Sequence, residues 1–144
     1  MKILEKLRRG VVTESAEETR ALAAELACVL PVDATLALHG DLGVGKTTFV
    51  QGLAQGLGVT GHVTSPTFAI YSVYQGTARR LVHLDAYRLE TERQVEALLL
   101  DEFLVSPWCL AVEWPEKIGA ALPADAWHLT FSITSGERHA VQLR

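Results

Sequence analysis

Residues 40–47 read Gly-Asp-Leu-Gly-Val-Gly-Lys-Thr and meet every fixed position of G-x-x-x-x-G-K-[ST]. A run of this kind holds a polyphosphate. Glycines let successive backbone N–H groups turn toward an anion with no side chain in the way. Asp41, Leu42, Gly43, Val44 and Gly45 would supply those amides. Lys46 would bring a point charge to the β- and γ-phosphates, and the Thr47 hydroxyl suits Mg²⁺. With Thr48, these residues open a helix whose positive end adds to the attraction.

Two further residues have the right chemistry at the right kind of place. The apolar runs Leu-Val-His-Leu-Asp85 and Cys-Leu-Ala-Val-Glu113 both end in a carboxylate. Ligands of open α/β sheets bind at the carboxyl ends of the strands, so both acids are candidates to stand beside a Mg²⁺–triphosphate. Mg²⁺ takes only one or two protein carboxylates. One acid would serve the metal, directly or through water, and the other would orient an attacking water. The plainer reading of each is a solvated acid just past a strand, and finding two of them beside one phosphate loop weakens it.

Other residues carry more than one reading on spacing alone. Ser65 and Thr67 lie between the phosphate-loop helix and the next strand, as a loop that senses the γ-phosphate or as a plain turn. Arg88 is a phosphate or partner contact, or one half of a surface ion pair. Trp114 stacks on a base, packs against a partner or belongs to the core. His39 and His83 read as packed histidines rather than ligands.

These residues need elements to hold them. Residues 34–39 are apolar and read as a buried strand entering the phosphate loop. Residues 47–57 read as the helix leaving it, with Val50, Leu53, Ala54 and Leu57 on one face. Upstream, 10–13 is a short strand candidate. Ser15 and Glu18 are spaced as a capping box for a helix running to about Leu30, with Leu22, Leu26, Val29 and Leu30 at helical spacing and Pro31 ending it. Downstream, 68–74 and 80–85 flank Gln-Gly-Thr as a β-hairpin, and 91–100 is a helix. Residues 108–113 form another strand, and 127–133 with 138–143 form a second hairpin about Ser135 and Gly136. Strands alternating with helices predict an α/β, three-layer phosphate-loop fold. The sheet is mainly parallel, with helices on both faces, and the hairpins add antiparallel strands that make it mixed.

Composition bounds the function. A chain of 144 residues is read as one domain, 1–144, and 49% hydrophobic content supplies a core. A formal net charge of −4 speaks against a broad nucleic-acid surface. Cys28 and Cys109 lie far apart in apolar segments and read as buried thiols. Lys2, Lys6, Arg8 and Arg9 are followed by no apolar secretory segment, and no apolar run is long enough to span a bilayer. A cytoplasmic protein is expected. The alternatives to a nucleotide hydrolase are a small-molecule kinase and a non-hydrolysing nucleotide sensor. A kinase needs an acceptor pocket and several arginines gathered on the phosphates.

In order and approximate spacing, four motifs resemble the TsaE (YjeE) family. They are Gly-Asp-Leu-Gly-Val-Gly-Lys-Thr-Thr at 40–48, Ser-Pro-Thr-Phe at 65–68, His-Leu-Asp-Ala-Tyr-Arg-Leu at 83–89 and Val-Glu-Trp-Pro at 112–115. The match covers about residues 13–138. The resemblance implies a small bacterial ATPase that uses ATP and Mg²⁺. It would support the TsaB–TsaD pair in making threonylcarbamoyladenosine in tRNA. It further implies that Thr47 and Glu113 ligate Mg²⁺, that Asp85 supports hydrolysis, that Thr67 belongs to a switch-like loop and that Trp114 flanks the site. Nucleotide contacts are implied near Ala16 and Gly136. Ala86 and Ala69 depart from the family pattern at positions away from that chemistry.

Overall fold

A computed structural model describes residues 2–64, 66 and 70–144. Its seven strands are β1 (Val11–Thr13), β2 (Ala34–His39), β3 (Tyr71–Gln75), β4 (Arg80–Asp85), β5 (Trp108–Glu113), β6 (Trp127–Ile133) and β7 (His139–Leu143). They form one sheet in the order β1-β7-β6-β2-β5-β4-β3. The centre, β6-β2-β5-β4, is parallel throughout. β3 pairs antiparallel with β4, and β7 pairs antiparallel with both β6 and β1. The mixed sheet expected from the two hairpins is therefore present. The parallel strands read as continuous apolar runs because both of their faces are covered. In β2, for example, every residue but His39 is buried.

Among the described residues, four α-helices flank the sheet: α1 (Ile3–Arg9), α2 (Ala16–Ala27), α3 (Lys46–Gly56) and α4 (Glu92–Ala97). On one face α1, α2 and α3 pack Leu7, Leu26, Phe49 and Leu53 against Leu36, Leu38, Leu129 and Val141 of the strands. Fully burying a side chain of this size contributes about 1.5–3 kcal/mol. The opposite face, Val82, Leu84, Leu110 and Val112, is covered by Val95 of α4 and by short turns carrying Leu100, Phe103 and Ile118. This is the three-layer α/β arrangement, with most of its helix on one side.

Several local expectations need correction. The segment around Lys2 and Arg9, to which the sequence assigned no element, is helical, with Ile3 and Leu7 buried one turn apart. α2 ends at Ala27 rather than near Leu30, and Val29 is 45% exposed rather than on the packed face. Leu30 precedes Pro31, which disfavours helical backbone there. The Arg79 guanidinium instead takes the carbonyls of Leu30 and Pro31. Cys28 is exposed on the last turn of α2, so only Cys109 is a buried thiol, pushed up to about 12 by its apolar surroundings. At the start of α2, Ser15 Oγ accepts the Glu18 N–H at 3.1 Å. The Glu18 carboxylate reaches past the cap to the Glu14 N–H at 2.7 Å, so the box is only half formed. α4 is shorter than 91–100 because Leu99 adopts φ 51°, after which Leu100–Glu102 makes a single 3₁₀ turn.

Candidate phosphate-loop site

The site is built by register. β2, β4 and β5 run parallel, so their carboxyl ends fall together, with Leu38 and Asp85 both paired to Glu113. The chain then turns from His39 into α3 through three left-handed glycines. Gly40 has φ 148°, and a Cβ there would stand 2.7 Å from the Phe131 carbonyl oxygen and 2.8 Å from Val44. Gly45, φ 101°, caps α3 in a conformation that side chains resist. The helix therefore starts at Lys46 with its first N–H groups aimed into a cleft of about 590 Å³.

Lys46 is buried, and its ammonium donates to the Gly40 carbonyl. It also lies 4.1 Å from the centroid of the Trp114 ring, a cation–π distance. Desolvation lowers its pKa, opposed by the negative charges of Glu113, Asp85, Glu116 and Asp41. Glu113 is 5% exposed. Its Oε2 accepts from His83 Nε2 at 2.6 Å and from the Thr47 hydroxyl at 3.4 Å. Asp85 is half-buried and accepts the Tyr87 N–H at 3.0 Å. Thr47 and Glu113 thus present hard oxygens to one place, the donor chemistry that Mg²⁺ selects. Trp114 holds φ 57° and packs its ring 5.1 Å from Tyr87, so it forms a wall of the cleft.

Of the residues singled out from the sequence, Leu42, Gly43, Gly45, Lys46, Thr47, Thr48, Asp85, Glu113, Trp114, Ala16 and Gly136 line this one cleft. Val44 does not: its side chain is buried in the core, and its carbonyl accepts from His139 Nδ1 at 2.8 Å. Asp41 is exposed outside the lining and acts on Lys46 only through its charge. Thr67 and Ser65, with the start of the expected first hairpin at Phe68, lie outside the described residues. Arg88 is exposed and makes no ion pair among the described residues. Sequence reasoning missed Glu14, Thr19 and His139, which also line the cleft. It also read His83 as packing alone, although the imidazole binds Glu113. The signal was available: His83 and Asp85 are two apart on one strand, hence on one face.

The parallel centre of the sheet, the glycine loop entering α3 and the paired strand-end carboxylates define a small α/β protein of the P-loop, nucleotide-binding class. The family described as "Threonylcarbamoyl adenosine biosynthesis protein TsaE" matches residues 13–141. The chain belongs to that family, as its motifs led us to expect. The tRNA threonylcarbamoyladenosine biosynthesis protein TsaE of Bacillus subtilis is 43% identical over 113 residues, spanning 78% of this chain and 70% of that protein. Its counterpart in Streptomyces coelicolor is 42% identical over 121 residues, spanning 82% and 81%. The crystal structure of Bacillus subtilis YdiB superposes with a TM-score of 0.77 at 31% identity, covering 93% of this chain and 82% of that one.

Proposed function

We propose that this chain binds Mg²⁺–ATP in the cleft and hydrolyses it in the cytoplasm. The hydrolysis would support a TsaB–TsaD-like complex that forms N6-threonylcarbamoyladenosine in tRNA. The observation that carries the reading is the meeting of Lys46, Thr47, Glu113 and Asp85 in one cleft at the carboxyl ends of three parallel strands. The loop amides and Lys46 hold the phosphates. Thr47 and Glu113 offer oxygens to the ion, which when bound neutralises charge on the phosphoryl oxygens. Asp85 keeps a carboxylate oxygen free of its Tyr87 bond to orient a water. Ala16 and Gly136 bracket the rest of the nucleotide, and Trp114 fixes the lysine. Arg79 and Arg80 are committed to carbonyls of Leu30, Pro31 and Phe103 at the other end of β4, which favours hydrolysis over transfer to a bound acceptor.

Energy released here drives a cycle only if a partner binds the ATP and ADP forms differently. The test is phosphate release and partner affinity, measured alone and with TsaB and TsaD homologues. Release should be slow alone and faster in the assembly, and affinity should differ between ATP analogue and ADP. Lys46→Ala should weaken ATP binding by about 10- to 150-fold, the equivalent of losing a charged hydrogen bond of about 1.5–3 kcal/mol. Binding without any phosphate release, alone or assembled, would make the chain a sensor instead.

A further inference from the structure

We propose that His83 is a positioning residue that fixes the Glu113 carboxylate for the ion accompanying the nucleotide; this rests on the Mg²⁺–ATP reading above. His83 has no exposed surface and sits between Val82 and Leu84 in the middle of β4. Its register partner on β5 is Ala111, two residues before Glu113. The imidazole crosses that diagonal to reach Glu113 Oε2 at 2.6 Å, the short distance of a bond to a charged acceptor.

The geometry is costly unless that bond matters. His83 Nδ1 is buried with no partner among the described residues. An unsatisfied buried polar atom costs about 1–3 kcal/mol, which a leucine of similar size would avoid. Among the described residues, the bond to Glu113 is all that sets this side chain apart from an apolar one. It also selects the tautomer. A hydrogen on Nε2 donates to the carboxylate and leaves a lone pair at Nδ1, whereas the other tautomer would bury an unpaired N–H and set two acceptors face to face.

The consequence for Glu113 is orientation. Oε2 takes hydrogen bonds from both His83 and Thr47, while no described residue donates to Oε1. The carboxylate is therefore pinned by one oxygen and keeps the other for the cleft it lines. Groups that orient a ligating side chain are commonly worth 10- to 100-fold in metal affinity.

The experiment is a Mg²⁺ titration of fluorescent ATP-analogue binding in the full chain, repeated in EDTA. His83→Leu should raise the Mg²⁺ half-saturation by about 10- to 100-fold and leave metal-free affinity unchanged. His83→Gln, whose side-chain amide occupies the Nε2 position, should restore most of the loss. If His83→Leu does not fold, His83→Asn, which reaches only the Nδ1 position, replaces it. Imidazole ¹⁵N–¹H spectra of the metal-free protein should show the hydrogen on Nε2 and a shift of that resonance in Glu113→Gln. Equal losses with and without Mg²⁺, a wild-type half-saturation in His83→Leu, or a hydrogen on Nδ1 overturns the positioning role alone. A wild-type protein that binds the analogue equally well with and without Mg²⁺ overturns the metal reading and this inference with it.

Discussion

Asp85 and Glu113 are the same functional group in opposite circumstances, though they are register partners on adjacent strands. Glu113 is tied down by His83 and Thr47, whereas Asp85 holds one backbone N–H among the described residues and faces the cleft. A tethered carboxylate suits an ion, and a freer one suits a water. Asp85→Asn keeps an acceptor for Tyr87 but removes the charge. It should leave ATP affinity nearly unchanged and lower the rate of hydrolysis by about 10²- to 10⁴-fold, the usual worth of general acid–base help. Comparing equilibrium binding with single-turnover hydrolysis decides it, and matched losses would make Asp85 a binding residue. Both acids were legible in the sequence because each ends an apolar run, a feature visible in one dimension. The sequence places His83 on the face of Asp85, but its bond to Glu113 and the Lys46–Trp114 stack were not legible, since they exist only once strand register brings distant residues together.

Among the elements, the pairing of α2 with α3 sets how firmly the phosphate loop is backed. Gly52 and Gly56 lie one turn apart on α3 and face Ala23, Ala24 and Ala27 of α2. A Cβ at position 52 would stand 2.2 Å from the Arg20 carbonyl oxygen and 2.8 Å from the Ala23 Cβ. Gly52→Ala gains up to ~1 kcal/mol of helix propensity, yet it must push two helices apart. The overpacking should win, with a net loss of about 1–3 kcal/mol read from denaturant unfolding. Unchanged or raised stability would mean that α2 shifts freely. The central strands and α3 were readable as apolar runs and as a helical face. The starts of α2 and α4 were readable as well, at Ser15 and Thr91, but their ends were not, because they are set by the Arg79 bonds to Leu30 and Pro31 and by the left-handed Leu99. α1 went unread because its packed stripe is two residues, Ile3 and Leu7, among basic ones.

Across the whole molecule, proton uptake links the back of the phosphate loop to stability. His39, just before Gly40, stacks on His128 and lies 2.8 Å from it, Nε2 to Nδ1. Burial lowers the His39 pKa most, followed by Arg144 and His128; Glu116 opposes them, and Lys46 adds a still smaller lowering. The unfolded chain therefore binds this proton more readily than the folded one. The stabilisation is complete above the ordinary histidine value of about 6.5 and is lost as pH falls from there through the lowered folded value. Melting temperature should drop more steeply over that acid range in the wild type than in His39→Gln, and parallel curves would remove His39 from the linkage. The strand that carries the loop has a consequence in time as well as in space. β2 lies between β5 and β6, both encoded far downstream of it. A ribosome working at about 5–20 residues per second delivers the phosphate loop seconds before either neighbour exists. Until then a nascent chain carries the loop's letters without the walls that give them a ligand.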